Sequence, residues 1–362
     1  MDVADLVRPD VLSLEPLGGK VYSEVVKMDA NENPYAWPQG MREELEGSLL
    51  QFNRYPDPNA GELKDAISGY SGVPADGILV GNGSDELIQM VLLTFGGEGK
   101  AVVVHPPTFG MYQAAARVTG TKALPVPLLN GLNLDVERIL ERAQAPEVSI
   151  IILCSPNNPT GTLFARADLL KIAAASGKIV VMDEAYAEFC GQSLVDEIAN
   201  YPNLLVMRTF SKAFGLAGLR LGYLLGQAET ISLINRVRQP YNVNSFSQKA
   251  GILALKYLDH YLEQIEALKR ETEKIYRALT EIPVFKVYPT QSNFILFQPD
   301  DADVWHQELL ERGFLVRHMG ELPVLGKSLR LSPGLPEDNE AFIKAVWEIA
   351  MARKLVKLQA VR

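Results

Sequence analysis

One lysine of the 362-residue chain stands in a setting that suits covalent chemistry. Lys212 lies among small and apolar residues, where an amine can be held partly desolvated, with a lowered pKa and raised nucleophilicity. Thr209, Ser211 and Arg220 surround it with hydroxyls and a guanidinium, which are the usual donors to a phosphate. A surface lysine is the ordinary alternative, and the Ser-Lys-x-x-Gly-x-x-Gly-x-Arg pattern argues against it.

An acidic pair, Asp183 and Glu184, follows a run of apolar residues, and Tyr186 comes three residues after Asp183. A carboxylate at the end of a buried strand needs a cation or several donors to offset its desolvation. Asp183 therefore either caps a helix or pairs with a protonated ring nitrogen of a ligand. Tyr186 is close enough in sequence to reach the same ligand.

Two turn segments also carry polar groups. Gly81–Glu86 lies at the start of a predicted helix, and its glycines permit a tight turn. Ser84 or Asp85 can cap this helix, whose free N–H groups face an anion. Glu86 holds the third glycine position of a dinucleotide fingerprint, and the Gly-Lys-Ser/Thr of a Walker loop is absent from the segment. Cys154–Gly161 ends a strand with prolines and offers an asparagine amide. Each segment alone is also an ordinary turn.

These polar segments each follow a short apolar run, and amphipathic stretches lie between the runs. Runs of this length and composition suit strands that are buried on both faces. The alternation predicts a mostly parallel sheet with right-handed crossovers, whose ligands bind at the carboxyl ends of the strands. The predicted strands are Gly77–Val80, Ala101–Val104, Val148–Leu153, Ile179–Met182, Leu204–Arg208 and Leu221–Leu225. The predicted helices are Ser84–Phe95, Thr108–Val118 and Arg166–Ser176.

A second pattern follows a long predicted helix from Ser245 to about Thr280. The change of pattern divides the chain into two predicted domains. The first is a large cofactor-binding α/β domain over residues 40–280, and the second is a smaller, discontinuous α+β domain of residues 1–39 and 281–362. The strands predicted in the small domain are Val284–Tyr288, Asn293–Phe297, Phe314–Arg317 and Ser328–Leu331, and its helices lie near Val304–Arg312 and Glu337–Leu358.

The composition narrows the functional class. With 35 basic and 44 acidic residues the net charge is −9, which argues against a partner such as nucleic acid or an anionic membrane. Two cysteines cannot form a disulfide framework, and no HExxH or CxxC pairing indicates a metal. No apolar stretch approaches the roughly 18–20 residues that span a bilayer, and the acidic start does not resemble a signal peptide. A cytoplasmic enzyme is therefore expected.

In their order along the chain, the four segments resemble the fold-type-I pyridoxal-phosphate aminotransferases, and within that family the histidinol-phosphate aminotransferases. The similarity runs from Asp29-Ala-Asn-Glu-Asn-Pro34 to Ser328-Leu-Arg-Leu-Ser332, and it includes Arg54-Tyr-Pro-Asp57 and Pro107-Thr-Phe-Gly-Met-Tyr112. The resemblance implies an α/β fold with a mostly parallel, seven-stranded-type sheet flanked by helices and a smaller α+β domain. It also implies pyridoxal 5′-phosphate as the cofactor.

The resemblance further implies a role for each matching residue. Lys212 would form the internal aldimine with the cofactor and carry the proton between Cα and C4′, and Asp183 would keep the pyridine nitrogen protonated. Tyr186, the third expected catalytic residue, and Asn158 would hydrogen-bond the ring 3-oxygen, and Phe109 would stack on the ring. Gly83, Ser84, Ser211 and Arg220 would bind the cofactor phosphate, and Asp85 would cap the same loop. Thr209 is also expected among the cofactor-binding residues.

The implied reaction is a ping-pong transamination in which imidazole acetol phosphate and L-glutamate give L-histidinol phosphate and 2-oxoglutarate. Arg330 would bind the α-carboxylate, with Asn158 beside it. Both substrates carry a distal anion, so a second cation is expected; Arg317 is the candidate, with a surface arginine as its alternative. Tyr55 would reach the phosphate of the neighbouring subunit's cofactor, which implies a homodimer.

Two departures from the family pattern lie at the substrate end. Leu17 stands where relatives often carry a tyrosine, and Ser332-Pro-Gly334 replaces the usual sequence after Arg330. Other reactions on the same scaffold therefore stay open, namely an aromatic aminotransferase or a threonine-phosphate decarboxylase. A non-catalytic small-molecule sensor is a further alternative, against which the presence of Lys212 argues.

Overall fold

The computed structural model describes residues 1–12, 14, 18, 20, 22–48 and 53–355, so Leu17 lies outside the described residues. The strands are β1 (Val26–Lys27), β2 (Ile78–Gly81), β3 (Ala101–Val104), β4 (Lys122–Pro125), β5 (Val148–Cys154), β6 (Ile179–Asp183), β7 (Leu204–Thr209), β8 (Gly222–Leu225), β9 (Lys286–Val287), β10 (Ile295–Gln298), β11 (Phe314–Leu315), β12 (Arg317–Leu322) and β13 (Gly326–Leu331). The helices are α1 (Pro9–Leu12), α2 (Gln39–Gly47), α3 (Gly61–Ser71), α4 (Ser84–Phe95), α5 (Met111–Val118), α6 (Val136–Ala143), α7 (Arg166–Ala175), α8 (Ala187–Cys190), α9 (Ala228–Asn235), α10 (Ser245–Lys256), α11 (Leu258–Thr280), α12 (Ala302–Glu311) and α13 (Pro336–Ala352).

The large sheet has seven strands within the described residues, in the order β2-β8-β7-β6-β5-β3-β4. The pairs from β7 through β6, β5 and β3 to β4 are parallel, and β8 runs antiparallel to both β2 and β7. The predicted mostly parallel sheet is therefore confirmed. Because the parallel strands end at one edge, the loops that follow them meet there.

Both faces of this sheet are covered, which explains why its strands are apolar throughout. In β6, Val180 and Met182 belong to a core with α3, α10 and α11, whereas Val181 belongs to a second core with α4, α5 and α9. Successive side chains of a strand point to opposite faces, so each face needs its own apolar residues.

A second sheet, antiparallel and of four strands among the described residues, has the order β12-β13-β10-β9. Its core contains Trp305, Phe297 and Phe342, and Ile275 near the end of α11 packs into it as well. Parallel pairing of β1 with β11 ties the N-terminal segment to this unit. A smaller sheet unit is thus confirmed, while its exact limits of residues 1–39 and 281–362 stay a prediction.

Some predicted elements differ from those observed. The single helix expected from Ser245 to about Thr280 is two helices, because Tyr257 leaves the helical conformation and its hydroxyl donates to Glu44 on α2 at 2.8 Å. The expected strand Phe314–Arg317 is split between β11 and β12. The edge strand β4 was not predicted. Only Leu124 among its four residues is buried, so the strand lacks the continuous apolar run that marks the others. Across the described ranges, no helix has the length and apolar character to cross a membrane.

Candidate active site

A cavity of about 190 Å³ lies at the carboxyl edge of the large sheet. Eleven residues singled out in the sequence line it: Ser84, Asp85, Phe109, Asn158, Asp183, Tyr186, Thr209, Ser211, Lys212, Arg220 and Arg330. They come together because the loops after β2, β5, β6 and β7 share this edge, and Arg330 on β13 reaches it from the second sheet. A larger groove, about 1170 Å³, is lined by other residues, such as Arg166 and Gly226.

The Lys212 amine is held inside the cavity. It follows β7 in a turn that is closed by the Thr209 hydroxyl, which accepts the Ser211 N–H at 3.0 Å. The amine donates to the carbonyl oxygen of Ala30 at 2.9 Å. Burial, together with the nearby Arg330 guanidinium, lowers the pKa of Lys212 to about 8. About a tenth of the amine is therefore neutral, and nucleophilic, at pH 7.

The Asp183 carboxylate ends β6 and is buried against the cavity. One oxygen, Oδ1, accepts the Ala185 N–H at 3.0 Å, and Oδ2 accepts the Tyr112 hydroxyl at 2.6 Å. Burial raises the pKa of Asp183 to about 6. Among the described residues no lysine or arginine forms an ion pair with it, so the carboxylate is suited to a cationic group of a ligand.

Tyr186 and Asn158 each keep one donor for a ligand of the cavity. The Tyr186 oxygen accepts the Asn31 amide N–H at 2.9 Å, which leaves its own O–H to donate elsewhere. The Asn158 carbonyl oxygen accepts from Arg330 at 2.7 Å, which leaves the amide nitrogen to donate. Both donors suit an anionic or phenolic oxygen.

The loop between β2 and α4 forms a cradle for an anion. Gly83 has φ +83°, and a Cβ there would lie 2.7 Å from a guanidinium nitrogen of Arg220, so only glycine fits. Helix α4 begins at Ser84 without a side-chain cap, and its first N–H groups point out of the helix. The expected cap by Ser84 or Asp85 is thus wrong: Asp85 instead accepts from Arg220 at 2.9 Å, which fixes the guanidinium beside the loop.

Of the two arginines expected to bind substrate, Arg330 lines the cavity, whereas Arg317 is not among its lining residues. Arg330 donates to the Asp29 carbonyl oxygen at 2.7 Å and to Asn158, while its Nε is buried without a partner among the described residues. Arg317 is directly opposite Arg330 in the β12–β13 pair and is exposed. Cross-strand neighbours share one face of a sheet, so the two cations lie on the same side.

Tyr55 lies outside the cavity of its own chain. Its side chain is 81% exposed and stacks on Tyr241, with ring centroids 4.5 Å apart. The two tyrosines line a separate groove with Arg54 and Phe246. Within one chain Tyr55 does not reach Lys212, so its role across a subunit interface stays a prediction.

Three residues of the site were missed from the sequence. Ala30 and Asn31 lie in the Asp29–Pro34 motif, and Tyr112 ends the Pro107–Tyr112 motif; both motifs supported the resemblance, but neither had a role. Their contacts to Lys212, Tyr186 and Asp183 join distant parts of the chain, and no spacing in one sequence announces them. Within the part of the chain that is described, no cluster of His, Cys, Asp or Glu can hold a metal.

Comparison with known proteins agrees with this geometry. The family model of aminotransferase class I and II matches residues 23–346. A histidinol-phosphate aminotransferase of Desulfitobacterium hafniense (strain DSM 10664 / DCB-2) is 58% identical over 354 residues, which cover 96% of this chain and 98% of that protein.

Solved structures show the same fold. The histidinol-phosphate aminotransferase of Clostridium acetobutylicum aligns with a TM-score of 0.84 and 25% identity, covering 91% of this chain and all of that chain. The Sinorhizobium meliloti enzyme, solved in complex with pyridoxal-5′-phosphate, aligns with a TM-score of 0.87 and 22% identity over 96% of this chain and 98% of that chain. The resemblance noted in the sequence is confirmed: the chain belongs to the aminotransferase class I and II family.

Proposed function

We propose that the protein is a pyridoxal-phosphate-dependent transaminase that converts imidazole acetol phosphate and L-glutamate to L-histidinol phosphate and 2-oxoglutarate. The observation that carries the proposal is the partly buried Lys212 amine, which shares one cavity with the Asp183 carboxylate, for which the described residues supply no lysine or arginine partner. The substrate assignment is supported by the Desulfitobacterium relative, which bears the name of this activity at 58% identity.

The side chains of the cavity fit pyridoxal 5′-phosphate. The cradle at Gly83 and Ser84, with Ser211 and Arg220, suits its phosphate, because free N–H groups, a hydroxyl and a guanidinium converge there. The buried Asp183 carboxylate suits a protonated ring nitrogen. When bound, the cofactor supplies an electron-withdrawing ring that makes the substrate Cα–H bond acidic.

Four other groups suit the rest of the cofactor. Tyr186 and Asn158 each have a donor for the ring 3-oxygen, and Phe109 supplies an aromatic face beside the cavity. The neutral amine of Lys212 suits attack on the aldehyde carbon.

Lys212 and Asp183 divide the proton chemistry. Asp183, in its ionised form, holds a proton at the ring nitrogen, and it is ionised above its pKa of about 6. Lys212, with a pKa of about 8, would in its neutral form accept a proton from the substrate Cα and then deliver that proton to C4′. Between the two pKa values Asp183 is mostly ionised, and the neutral fraction of Lys212 grows as the pH approaches 8.

The side of the cavity formed by the second sheet and the N-terminal segment, here called its roof, would bind the substrate. Arg330 presents a guanidinium whose Nε lacks a partner among the described residues, which suits the α-carboxylate. Arg317 lies on the same face and suits the distal anion that glutamate and histidinol phosphate share. Ala30 and Asn31 line the pocket, and the Ala30 carbonyl oxygen accepts a hydrogen bond from the Lys212 amine.

The proposed homodimer would place Tyr55 of one subunit at the cofactor phosphate of the other. An 81% exposed tyrosine that stacks on an exposed Tyr241 is suited to burial against a second copy. Mixing Lys212→Ala with Tyr55→Ala subunits tests this arrangement, because a hybrid dimer regains one complete site. Random mixing should restore roughly a quarter of wild-type activity, whereas no recovery in a verified hybrid would reject the shared site.

A substrate panel tests the proposed reaction. The protein loaded with pyridoxal phosphate is assayed for initial rates with histidinol phosphate, phenylalanine and threonine phosphate, each with 2-oxoglutarate, and carbon dioxide release is monitored. Turnover of histidinol phosphate with glutamate as co-product is expected. No turnover of that substrate would reject the assignment, and carbon dioxide from threonine phosphate would favour the decarboxylase. The cytoplasmic location of the protein stays a prediction.

A further inference from the structure

We propose that Tyr112 is a positioning residue that keeps the Asp183 carboxylate ionised and aimed at the cofactor's ring nitrogen. This inference rests on the proposed function, because it concerns the proposed partner of that nitrogen. Tyr112 does not line the cavity. It would therefore act on the cofactor indirectly, through its contacts with Asp183 and Phe109.

The hydrogen bond between the two residues is short and fully buried. Tyr112 is the second residue of α5 and has no exposed surface. Its hydroxyl lies 2.6 Å from Asp183 Oδ2, within the range of an O–H donor to an ionised carboxylate. Since Oδ1 is bound by the Ala185 N–H, each carboxylate oxygen has one protein donor. The carboxyl plane is thereby fixed from two sides.

The ring of Tyr112 contacts a second residue of the site. Phe109 packs against it edge to face, with centroids 5.6 Å apart and an interplanar angle of 84°. Phe109 is the residue proposed to stack on the cofactor ring, and Asp183 is proposed to pair with the ring nitrogen. One side chain of α5 therefore links the two groups that would orient the ring.

The surroundings of Asp183 otherwise favour the protonated acid. Burial and the charges of Asp85 on α4 and Glu184 after β6 raise the pKa of Asp183, whereas the Tyr112 hydroxyl and the Ala185 N–H lower it. Cys154 on β5 stays a neutral thiol because burial raises its pKa.

Other titratable groups do not replace the Tyr112 hydroxyl. His105 is neutral, because burial lowers its pKa to about 3, and its Nε2 accepts the Cys154 N–H at 3.0 Å. The remaining charged or titratable groups on the cavity walls are Tyr186, Lys212, Arg220 and Arg330. Among the described residues, Tyr112 supplies the side-chain hydrogen bond that favours the Asp183 carboxylate.

The Tyr112→Phe variant separates this role from simple packing. It keeps the ring and its contact with Phe109 but removes the hydroxyl. The matched control is Tyr261→Phe, since Tyr261 is also buried and its hydroxyl donates only weakly, to the sulfur of Met41 at 3.2 Å. Tyr112→Met, which also lacks the hydroxyl, is a second variant, and thermal unfolding checks that each protein is folded.

Two readouts apply to these variants. Titration of the cofactor-free proteins with pyridoxal phosphate should show about tenfold weaker binding for Tyr112→Phe, the effect of one hydrogen bond to a charged group. The acidic limb of the kcat/KM profile of the holoenzyme should move to higher pH, because Asp183 loses a donor that favours its ionised form. Tyr112→Met should move both in the same directions, and Tyr261→Phe should change neither.

A double-mutant cycle shows whether Tyr112 acts through Asp183. In an Asp183→Ala background, removal of the Tyr112 hydroxyl should no longer weaken pyridoxal phosphate binding. Unchanged affinity and an unchanged acidic limb in folded Tyr112→Phe would overturn the inference and leave the proposed function standing. An equal loss in both backgrounds would also overturn it. Wild-type protein that fails to bind pyridoxal phosphate would instead reject the proposed function.

Discussion

The floor and the roof of the cavity are built in different ways. On the floor, Asp183 is the last residue of β6, and Lys212 comes three residues after β7 ends. On the roof, Arg330 meets the Asp29 carbonyl oxygen across 301 residues, and Asn31 meets Tyr186 across 155. The floor depends on where neighbouring strands end, whereas the roof depends on how the two sheet units and the N-terminal segment pack together.

This difference separates the chemistry from substrate recognition. The floor holds the groups proposed to bind the cofactor and move protons, and the roof holds the cations proposed to bind the substrate. Changes on the floor should therefore lower kcat, while changes on the roof should mainly raise KM. Four predictions test that division, from the largest expected effect to the smallest.

The largest effect is expected on the floor, for Lys212→Ala. Loss of the amine removes the proposed attachment point of the cofactor and the group that moves the Cα proton, so kcat should fall by about 10⁴-fold or more. Steady-state kinetics measure the loss, and circular dichroism verifies the fold. Lys269→Ala, at an exposed lysine paired with Glu266 on α11, is the control and should keep full activity. If Lys212→Ala kept a kcat close to that of the wild-type protein, the assignment of Lys212 as the catalytic lysine would be contradicted.

On the roof, Arg330→Ala should raise the KM for glutamate by about 100-fold, because a bidentate, charge-assisted pair is lost. Arg330→Lys should recover only part of the affinity, since an ammonium group cannot form the two parallel hydrogen bonds. A smaller change is expected in kcat. If kcat fell by the larger factor, Arg330 would belong with the floor, and the division would be wrong.

The pH dependence of cofactor capture examines the floor without a substitution. Because burial lowers the pKa of Lys212 to about 8, the neutral amine becomes common at lower pH than for an exposed lysine. The rate of pyridoxal phosphate capture by cofactor-free protein should rise roughly 50-fold from pH 6 to 8 and then level off. Stopped-flow absorbance measures this rate. A rise that continues past pH 10 would indicate an unperturbed lysine.

The smallest effect is expected for the exposed Arg317. Arg317→Ala should weaken histidinol phosphate by about tenfold, the lower end of the range for a hydrogen bond to a charged group, and should leave histidinol nearly unaffected. Competition experiments with the two ligands measure the difference. Equal losses for both would remove Arg317 from the substrate site and restrict the roof to Arg330.

The large sheet could be predicted from the sequence because its evidence is local. Apolar runs such as Ile179–Met182 indicate buried strands, and the polar residue after each run marks the functional edge. The structure extends this strand by one residue, to Asp183. Lys212, Asp183 and Asn158 lie around one cavity because they follow parallel strands that end at one edge, and the alternating pattern already implied parallel strands.

The helix break and the contacts between distant parts of the site could not be predicted, because they depend on pairings that a single sequence does not indicate. The break at Tyr257 carries no glycine or proline, and it is stabilised by a hydrogen bond to Glu44 on another helix. The bond from Tyr112 to Asp183 joins residues that are 71 apart, and the bond from Asn31 to Tyr186 crosses from the N-terminal segment to the large sheet. Such pairings become visible only when the elements are packed.

The covalent link at Lys212 is the most direct test of the central claim. The protein loaded with pyridoxal phosphate is reduced with borohydride, digested and analysed by mass spectrometry. We expect one stable pyridoxyl-phosphate modification, on the peptide that contains Lys212, and none on the corresponding peptide of Lys212→Ala. Modification of a different lysine in the wild-type protein, or bound cofactor without any reducible link, would contradict the claim.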